Sequence, residues 1–180
     1  VSVPVKLKLA GDQHVMNALA AIAVAVELGV APETAVKGLE AVMPMTGRGT
    51  LSHRPAGGRV VDDSYNANPA AVKAAIDVLA RESGYRLLLL GPMLELGDAS
   101  DALHREVGRY ASEAGIDQLI AVGNEAAPAA EVFGHEALHF VDQTSLQASF
   151  PALPEEHTIW VKGSRGAGLE HTVAWLLATG

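Results

Sequence analysis

Short apolar runs alternate with amphipathic stretches along most of this chain, and the alternation predicts its architecture. After Thr50, each apolar run suits a strand, and each following stretch carries apolar residues at helical spacing. The predicted strands are Arg59–Asp63, Arg86–Leu90, Gln118–Val122, His139–Val141 and Thr158–Lys162. The predicted helices are Pro69–Arg81, Ala99–Ala114, Glu125–Val132, Thr144–Ser149 and Leu169–Ala178. This order predicts an α/β domain with a mostly parallel sheet and helices on both faces.

The beginning of the chain has a different pattern. Val3–Leu9 alternates apolar and polar residues, which predicts a half-exposed strand. His14–Leu28 is apolar almost all round and predicts a buried helix, and Pro32–Val42 predicts a second helix. Pro44 and the Gly47–Gly49 run interrupt this pattern, so we place a domain boundary here and divide the chain into residues 1–48 and 49–180.

One strand and two helices are too few to bury their own apolar surface. Residues 1–48 are therefore expected to be the last part of a larger domain. The apolar helix over Val15–Leu28 is expected to promote self-association when the rest of that domain is missing.

Composition narrows the class of protein. Hydrophobic residues make up 49% and charged residues 19% of the 180 residues, which is typical of a soluble globular protein. The net charge of −8 argues against a nucleic-acid surface but leaves room for a local anion site. The absence of cysteine, of a signal-peptide pattern and of an apolar run long enough to cross a bilayer predicts a cytoplasmic protein without membrane insertion. The histidines lack metal-binding spacing, so no metal site is predicted.

The stretch Val60–Pro69 carries the strongest chemical signal. An apolar strand leads directly into two carboxylates, a serine and two amides, and a proline then begins a helix. Ligands of α/β domains bind at the carboxyl ends of strands, where a carboxylate can accept from ribose hydroxyls or hold a metal. Asn68 can cap the helix. The spacing alone leaves open whether Asp62 and Asp63 are ligand-binding residues or turn residues.

A second polar group, Lys162, Ser164 and Arg165, follows the last predicted strand and precedes a helix. An anion or a carboxylate could bind to such a group, since backbone N–H groups and basic side chains converge there. The alternative is a solvated basic turn.

Five motifs, taken together, resemble those of the bacterial Mur ligases. Asp62–Pro69 reads DDSYNANP, a signature of this family, and Gly91–Gly97 (GPMLELG) is similar to its GDMxELG loop. The other three are Gly47-Arg48, similar to the family's GR; Leu103–Gly108, similar to its following helix; and Val161–Arg165, similar to its VKGSR motif. The resemblance covers essentially the whole chain, and its motifs are those of the members that add D-alanyl-D-alanine.

The resemblance implies an ATP-dependent amide ligase that uses Mg²⁺. Such a ligase joins D-Ala-D-Ala to UDP-MurNAc-tripeptide through an acyl phosphate, in peptidoglycan precursor synthesis. Residues 1–48 would be the end of a central P-loop ATPase domain, and residues 49–180 a Rossmann-like C-terminal domain. Because the chain contains no GxxxxGK[ST] motif, the phosphate loop and most Mg²⁺ ligands are expected upstream, and the chain alone is expected to be inactive.

The resemblance also implies roles for individual residues. Arg48 would reach the ATP phosphates and Asp63 the ribose, and these two are the expected catalytic residues. The further nucleotide-binding residues implied are His14, Asn17, Tyr65 and Asn66, and those for the acceptor substrate are Asn68, Glu95, Lys162, Ser164 and Arg165. The chain departs from the family in two places: Gln13-His14 stands where His-Asn is usual, and Pro92 stands where an acidic residue is usual.

Two alternatives remain open at this point. One is a Mur-type ligase with a different acceptor. The other is a Rossmann-like module that binds a nucleotide or a protein partner without catalysis. A phosphate loop upstream of Val1 would decide for the enzyme.

Overall fold

The computed structural model describes residues 2–8, 12–43 and 45–179. The chain divides into two compact units, Val1–Met45 and Thr46–Gly180, and each is described by itself. The first unit contains helix α1 (Asp12–Glu27) and helix α2 (Pro32–Ala41), where Pro32 occupies the first turn of α2. The assignment of residues 1–48 to an ATPase domain stays a prediction.

Two predictions for the first unit were wrong. No strand forms within residues 2–8, because a strand needs a hydrogen-bonded neighbour and the described residues provide none there; Leu9 lies outside the described residues. Helix α1 is also not buried: Met16 is 67% and Val24 61% exposed. The described part of this unit has only α2 to cover α1, which leaves most of its apolar surface in contact with solvent.

The second unit is built on a six-stranded sheet in the order β1-β2-β6-β3-β4-β5. The strands are β1 (Thr50–His53), β2 (Arg59–Asp63), β3 (Tyr85–Leu90), β4 (Gln118–Val122), β5 (Ala137–Phe140) and β6 (His157–Lys162). The helices are α3 (Pro69–Leu79), α4 (Ser100–Glu113), α5 (Ala127–Phe133), α6 (Gln143–Ala148) and α7 (Glu170–Ala178). Strand β1 is antiparallel to β2, and all other neighbours are parallel.

The two faces of the sheet bury separate cores. Because successive side chains of a strand point to opposite faces, Leu88 and Leu90 of β3 pack with helices α3, α4 and α5, whereas Leu87 and Leu89 pack with α6 and α7. All four leucines are fully buried. The predicted α/β fold, with a mostly parallel sheet and helices on both faces, is confirmed.

Strand β1 was missed by the sequence analysis. It is a short edge strand whose side chains alternate between half-buried and exposed positions, so it carries no apolar run. Hydrogen bonds from Arg54 N–H to the Gly58 carbonyl and from Gly57 N–H to the Arg54 carbonyl close the hairpin that joins it to β2. Its position comes from this turn and from backbone pairing with β2 rather than from its own hydrophobicity.

Candidate functional site

The candidate site lies at the carboxyl ends of β2, β6 and β3, which are neighbours in the sheet. The loops that follow these strands are residues 64–68, 163–169 and 91–96. They contain the DDSYNANP, VKGSR and GPMLELG motifs. Parallel pairing therefore brings together three segments that are far apart in sequence, as expected for a ligand site of an α/β domain.

Asp62 organises the loop after β2. Its buried carboxylate accepts from Gly47 N–H at 3.0 Å through Oδ2, and from the Ser64 hydroxyl at 2.6 Å and Ser64 N–H at 3.2 Å through Oδ1. Tyr65 N–H in turn donates to the Gly47 carbonyl at 3.0 Å. Gly47 has φ of 78°, and a Cβ there would stand 3.1 Å from that of Tyr65, so glycine suits this close approach.

Lys162, the last residue of β6, has a buried ammonium with all three donors directed at protein oxygens. Nζ lies 3.1 Å from Asp63 Oδ2 and 3.4 Å from the Asp63 carbonyl oxygen, and it donates to the Asn66 carbonyl as well. The side chain is 3% exposed. Burial lowers the pKa of Lys162, and the neighbouring Asp63 carboxylate opposes that shift. Lys162 thus ties β6 to the loop after β2.

Within the described residues, one of the two Asp63 carboxylate oxygens accepts hydrogen bonds and the other does not. Oδ2 receives both the Lys162 ammonium and the indole N–H of Trp160, the latter at 3.3 Å. Oδ1 has no hydrogen-bond donor among the described residues, and the side chain is 21% exposed. Burial raises the pKa of Asp63, while Lys162 and the Trp160 hydrogen bond oppose the rise. Oδ1 is therefore an acceptor that a ligand hydroxyl could use.

Two guanidinium groups lie against the ring of Tyr65. The Cζ of Arg48 is 4.4 Å and the Cζ of Arg165 4.8 Å from the ring centroid, within cation–π range. Both arginines are exposed. A cleft of about 230 Å³ opens beside them, lined by Thr46, Gly47, Ser64, Tyr65, Arg165 and Glu170. The exposed guanidiniums beside this cleft can receive anionic groups such as phosphate or carboxylate.

Ser164 fastens the three loops to one another. Its N–H donates to the Pro92 carbonyl at 2.9 Å, its Oγ accepts from Leu94 N–H at 2.9 Å, and the hydroxyl donates to the Ala67 carbonyl at 3.4 Å. The side chain is buried. These contacts hold the loop after β3, which contains Glu95 with φ of 65°, a left-handed conformation uncommon for glutamate.

The loop after β3 is also held from the helix side by His104 of α4. The backbone N–H of Met93 donates to Nε2 at 3.0 Å, so Nδ1 carries the proton and donates to the Ser100 carbonyl at 2.8 Å. His104 is fully buried, and burial lowers its pKa. The ring is therefore neutral near pH 7 and acts as a bridge between α4 and this loop.

Most of the predicted site residues meet at this end of the sheet, although with different exposure. The exposed ones are Arg48, Asn66, Asn68, Glu95 and Arg165; Tyr65 and Asp63 are half-buried; Lys162 and Ser164 are buried. Asn68 accepts from Ala71 N–H at 2.8 Å and caps α3, as predicted. His14 and Asn17 lie on α1 of the first unit, and their contact with adenine stays a prediction.

Three further residues shape the site: Asp62, which the sequence left open between a ligand-binding and a turn residue, and His104 and Trp160, for which it predicted no role. Asp62 and His104 lie inside motifs, so proximity to the motif was the available signal. Trp160 could have been found only from the pairing of β2 with β6. That register places Val61 opposite Trp160 and Asp63 opposite Lys162, on one face of the sheet.

Comparisons with known proteins agree with this fold. The family described as Mur ligase, glutamate ligase domain, matches residues 47–165. One relative is the UDP-N-acetylmuramoyl-tripeptide--D-alanyl-D-alanine ligase of Escherichia coli (strain K12). The two sequences are 38% identical, and the aligned region covers 99% of this chain and 40% of that protein. Another relative is the ligase of the same name from Bacillus subtilis (strain 168). Here the identity is 36%, and the aligned region covers 95% of this chain and 39% of that protein.

Two solved structures share the fold. The crystal structure I of MurF from Acinetobacter baumannii has a TM-score of 0.84 at 33% identity, covering 97% of this chain and 39% of that one. The MurF ligase of Thermotoga maritima, in complex with ADP, has a TM-score of 0.82 at 23% identity, covering 97% of this chain and 40% of that one.

The fold and the polar loops thus define an α/β domain with a candidate ligand site at the carboxyl ends of its strands. The chain belongs to the Mur ligase family, as its motifs predicted. It spans about 40% of the length of the curated relatives it matches. Within the described residues, no helix is long and apolar enough to cross a membrane.

Proposed function

We propose that this chain is part of an ATP-dependent ligase that joins D-Ala-D-Ala to UDP-MurNAc-tripeptide in peptidoglycan precursor synthesis. The curated relatives named for this ligation support the proposal, since the similarity extends over nearly the whole chain. The observation that carries it is the cluster of Asp63, Tyr65 and two exposed arginines at the strand ends. This cluster has the acceptor and the cations that a nucleotide needs.

The polar groups fit a nucleoside triphosphate. ATP would supply the phosphoryl group that activates the terminal carboxylate of the tripeptide as an acyl phosphate. Asp63 Oδ1, which has no partner within the described part of the chain, would accept from a ribose hydroxyl. Arg48 would contact the phosphates, and Tyr65 and Asn66 would border the nucleotide. The MurF ligase of T. maritima, which has the same fold, was solved with ADP, and this supports an adenine nucleotide as the ligand.

The adenine contacts proposed for His14 and Asn17 belong to the first unit. We assign no Mg²⁺ ligand to this chain. Among residues 2–8, 12–43 and 45–179, no three His, Asp or Glu side chains come together in a way that could hold a metal. Mg²⁺ enters the proposal together with ATP, with most of its ligands expected outside these residues.

For the acceptor, the proposal distinguishes direct contacts from support. Arg165 is exposed beside the cleft and would receive the carboxylate of D-Ala-D-Ala. Asn68 and Glu95 are exposed on neighbouring loops and could reach the same ligand. Lys162 and Ser164 direct their donors at protein oxygens, so their contribution would be to hold the loops that carry these groups.

Phosphate release and product mass provide the test, with ATP, Mg²⁺, UDP-MurNAc-tripeptide and D-Ala-D-Ala. The chain is assayed alone and as part of a polypeptide that supplies the rest of the ligase. We expect product only from the longer polypeptide. Product from the chain alone would refute the need for further residues, and no product from either would refute the ligase assignment.

The identity of the acceptor is tested by exchange. L-Ala-L-Ala and single D-amino acids replace D-Ala-D-Ala in the same assay. We expect ligation with the D-dipeptide at a rate at least about tenfold above the others, because the site must discriminate stereochemistry and length. Preferential ligation of a single amino acid would identify a Mur-type ligase with a different acceptor.

A further inference from the structure

The indole of Trp160 touches the carboxylate on which the proposed ribose contact depends. Trp160 is 4% exposed and lies two residues before Lys162 on the same face of β6. Its N–H donates to Asp63 Oδ2 at 3.3 Å, and the Lys162 ammonium lies 3.1 Å from the same oxygen. The two donors come from adjacent same-face positions of one strand and converge on one atom.

This convergence determines how the carboxylate is oriented. A single ammonium is a flexible point charge and would allow either oxygen of Asp63 to face it. The indole is rigid, is held in the core that packs against α3, and can only donate. With both donors directed at Oδ2, rotation of the carboxylate would break two interactions, and Oδ1 remains the oxygen without a partner among the described residues.

We propose that Trp160 is a positioning residue, which holds the Asp63 carboxylate so that Oδ1 is presented to a ribose hydroxyl of the nucleotide. This inference rests on the proposed function, because it assumes that Asp63 contacts the ribose. An apolar residue at position 160 would preserve the core but leave the carboxylate held by Lys162 alone.

The test compares Trp160→Phe with a matched control, Trp175→Phe. Phenylalanine keeps an aromatic ring at each position and removes the indole N–H. Trp175 packs edge-to-face against Phe150 at 5.4 Å between ring centroids, against the core on the other face of the sheet.

The first measurement is the pKa of Asp63 by carboxyl-carbon NMR titration, which needs no nucleotide. We expect Trp160→Phe to raise it above the wild-type value and Trp175→Phe to leave it unchanged. An unchanged pKa in Trp160→Phe would overturn the proposal.

The second measurement is ADP affinity by calorimetry, in the wild type, in Asp63→Ala, in Trp160→Phe and in the double variant. We expect Trp160→Phe to weaken binding about threefold to tenfold, as for the loss of one hydrogen bond. In the Asp63→Ala background the same change should have no further effect, because Trp160 acts through that carboxylate.

The outcomes separate this inference from the proposed function. Equal losses from Trp160→Phe in both backgrounds would indicate a merely structural role and overturn the inference. If Asp63→Ala leaves ADP affinity unchanged, or the wild type binds no ADP, the nucleotide assignment of the site fails, and the proposed presentation of Oδ1 to the ribose fails with it. The NMR titration then still decides whether Trp160 orients the carboxylate.

Discussion

Each end of the parallel strands carries a basic side chain, half-buried at the amino end and buried at the carboxyl end, that is held by a backbone carbonyl and by a neighbouring side chain. The two ends differ in which polar groups are left without a partner. At the amino end, Arg54 Nε donates to the Leu176 carbonyl at 3.1 Å and Nη1 to His157 Nε2 at 3.0 Å. His157 Nδ1 then donates to the Pro154 carbonyl at 2.6 Å. Both ring nitrogens of this buried histidine are therefore used within the protein.

At the carboxyl end, the Lys162 ammonium fastens β6 to the loop after β2 in a similar way. Here, however, the network ends on a carboxylate with one oxygen unused, beside two exposed guanidiniums and a cleft. A buried polar network therefore does not by itself indicate a functional site, since both ends of the strands have one. A functional site is better indicated by polar groups that the network holds in place but leaves without a hydrogen-bond partner.

The largest expected effect comes from removing the cation at the carboxyl end. Lys162→Met would leave the Asp63 carboxylate and the Asn66 carbonyl without their buried donor. We expect the free energy of unfolding to fall by about 3 kcal/mol, measured by urea denaturation. Lys73→Met is the control, since its ion pair with Glu106 is half exposed and should contribute less than about 1 kcal/mol. Equal losses from both variants would contradict the account.

The next largest effect is expected at the amino end of the strands, where stability should fall while ADP affinity is unchanged. His157→Ala would leave Arg54 Nη1 and the Pro154 carbonyl unpaired, so we expect a loss of about 2 kcal/mol in unfolding free energy. ADP affinity should remain that of the wild type. His53→Ala is the control, since exposed His53 lines a second cleft together with His157, and it should change stability by less than about 0.5 kcal/mol. A loss of ADP affinity in folded His157→Ala would erase the distinction between the ends.

A smaller effect is expected from pH. Burial lowers the pKa of His104 and of His157 below the ordinary histidine value of about 6.5. The unfolded chain takes up these protons at a higher pH than the native protein does, so stability should be constant above that value and fall as pH drops below it. Urea midpoints between about pH 7.5 and about pH 5.5 check this. His157→Ala should flatten the dependence, and a midpoint that rises on acidification would count against buried neutral histidines.

The smallest effect on stability belongs to the exposed arginines. Arg165→Ala should change the free energy of unfolding by less than about 0.5 kcal/mol, because its guanidinium is exposed and lies against the half-buried Tyr65 ring. In the complete ligase it should raise the KM for D-Ala-D-Ala. Arg105→Ala, at a half-exposed arginine on α4 paired with Asp101 and Glu131, serves as the control and should leave that KM unchanged. A large loss of stability in Arg165→Ala would indicate a structural role instead.

Features that depend on the local pattern of apolar and turn residues could be predicted from the sequence, and features that depend on strand pairing could not. The bounds of β2 and β4 follow from apolar runs between turn residues, and the structure reproduces both as predicted. The motif loops were expected at strand ends, because parallel strands share a carboxyl edge. The placement of Trp160 against Asp63 depends instead on β6 pairing with β2, and local pattern carries no information on strand order.

The failures have the same physical origin. Strand β1 is assigned by its partner, and its residues alone do not distinguish it from a loop. Helix α1 has the composition of a buried helix, but burial requires a covering surface that the described residues do not contain. In both cases the missing information lies outside the segment itself.

The most direct test of the central claim is a map of backbone amide shifts on addition of millimolar ADP and Mg²⁺. We predict perturbations in the loops at the carboxyl end, residues 63–68, 91–96 and 163–166. The hairpin turn and the segment around His157 at the amino end should remain unperturbed. Perturbations centred on the amino end, or none at either end, would contradict the assignment of the carboxyl end as the nucleotide site.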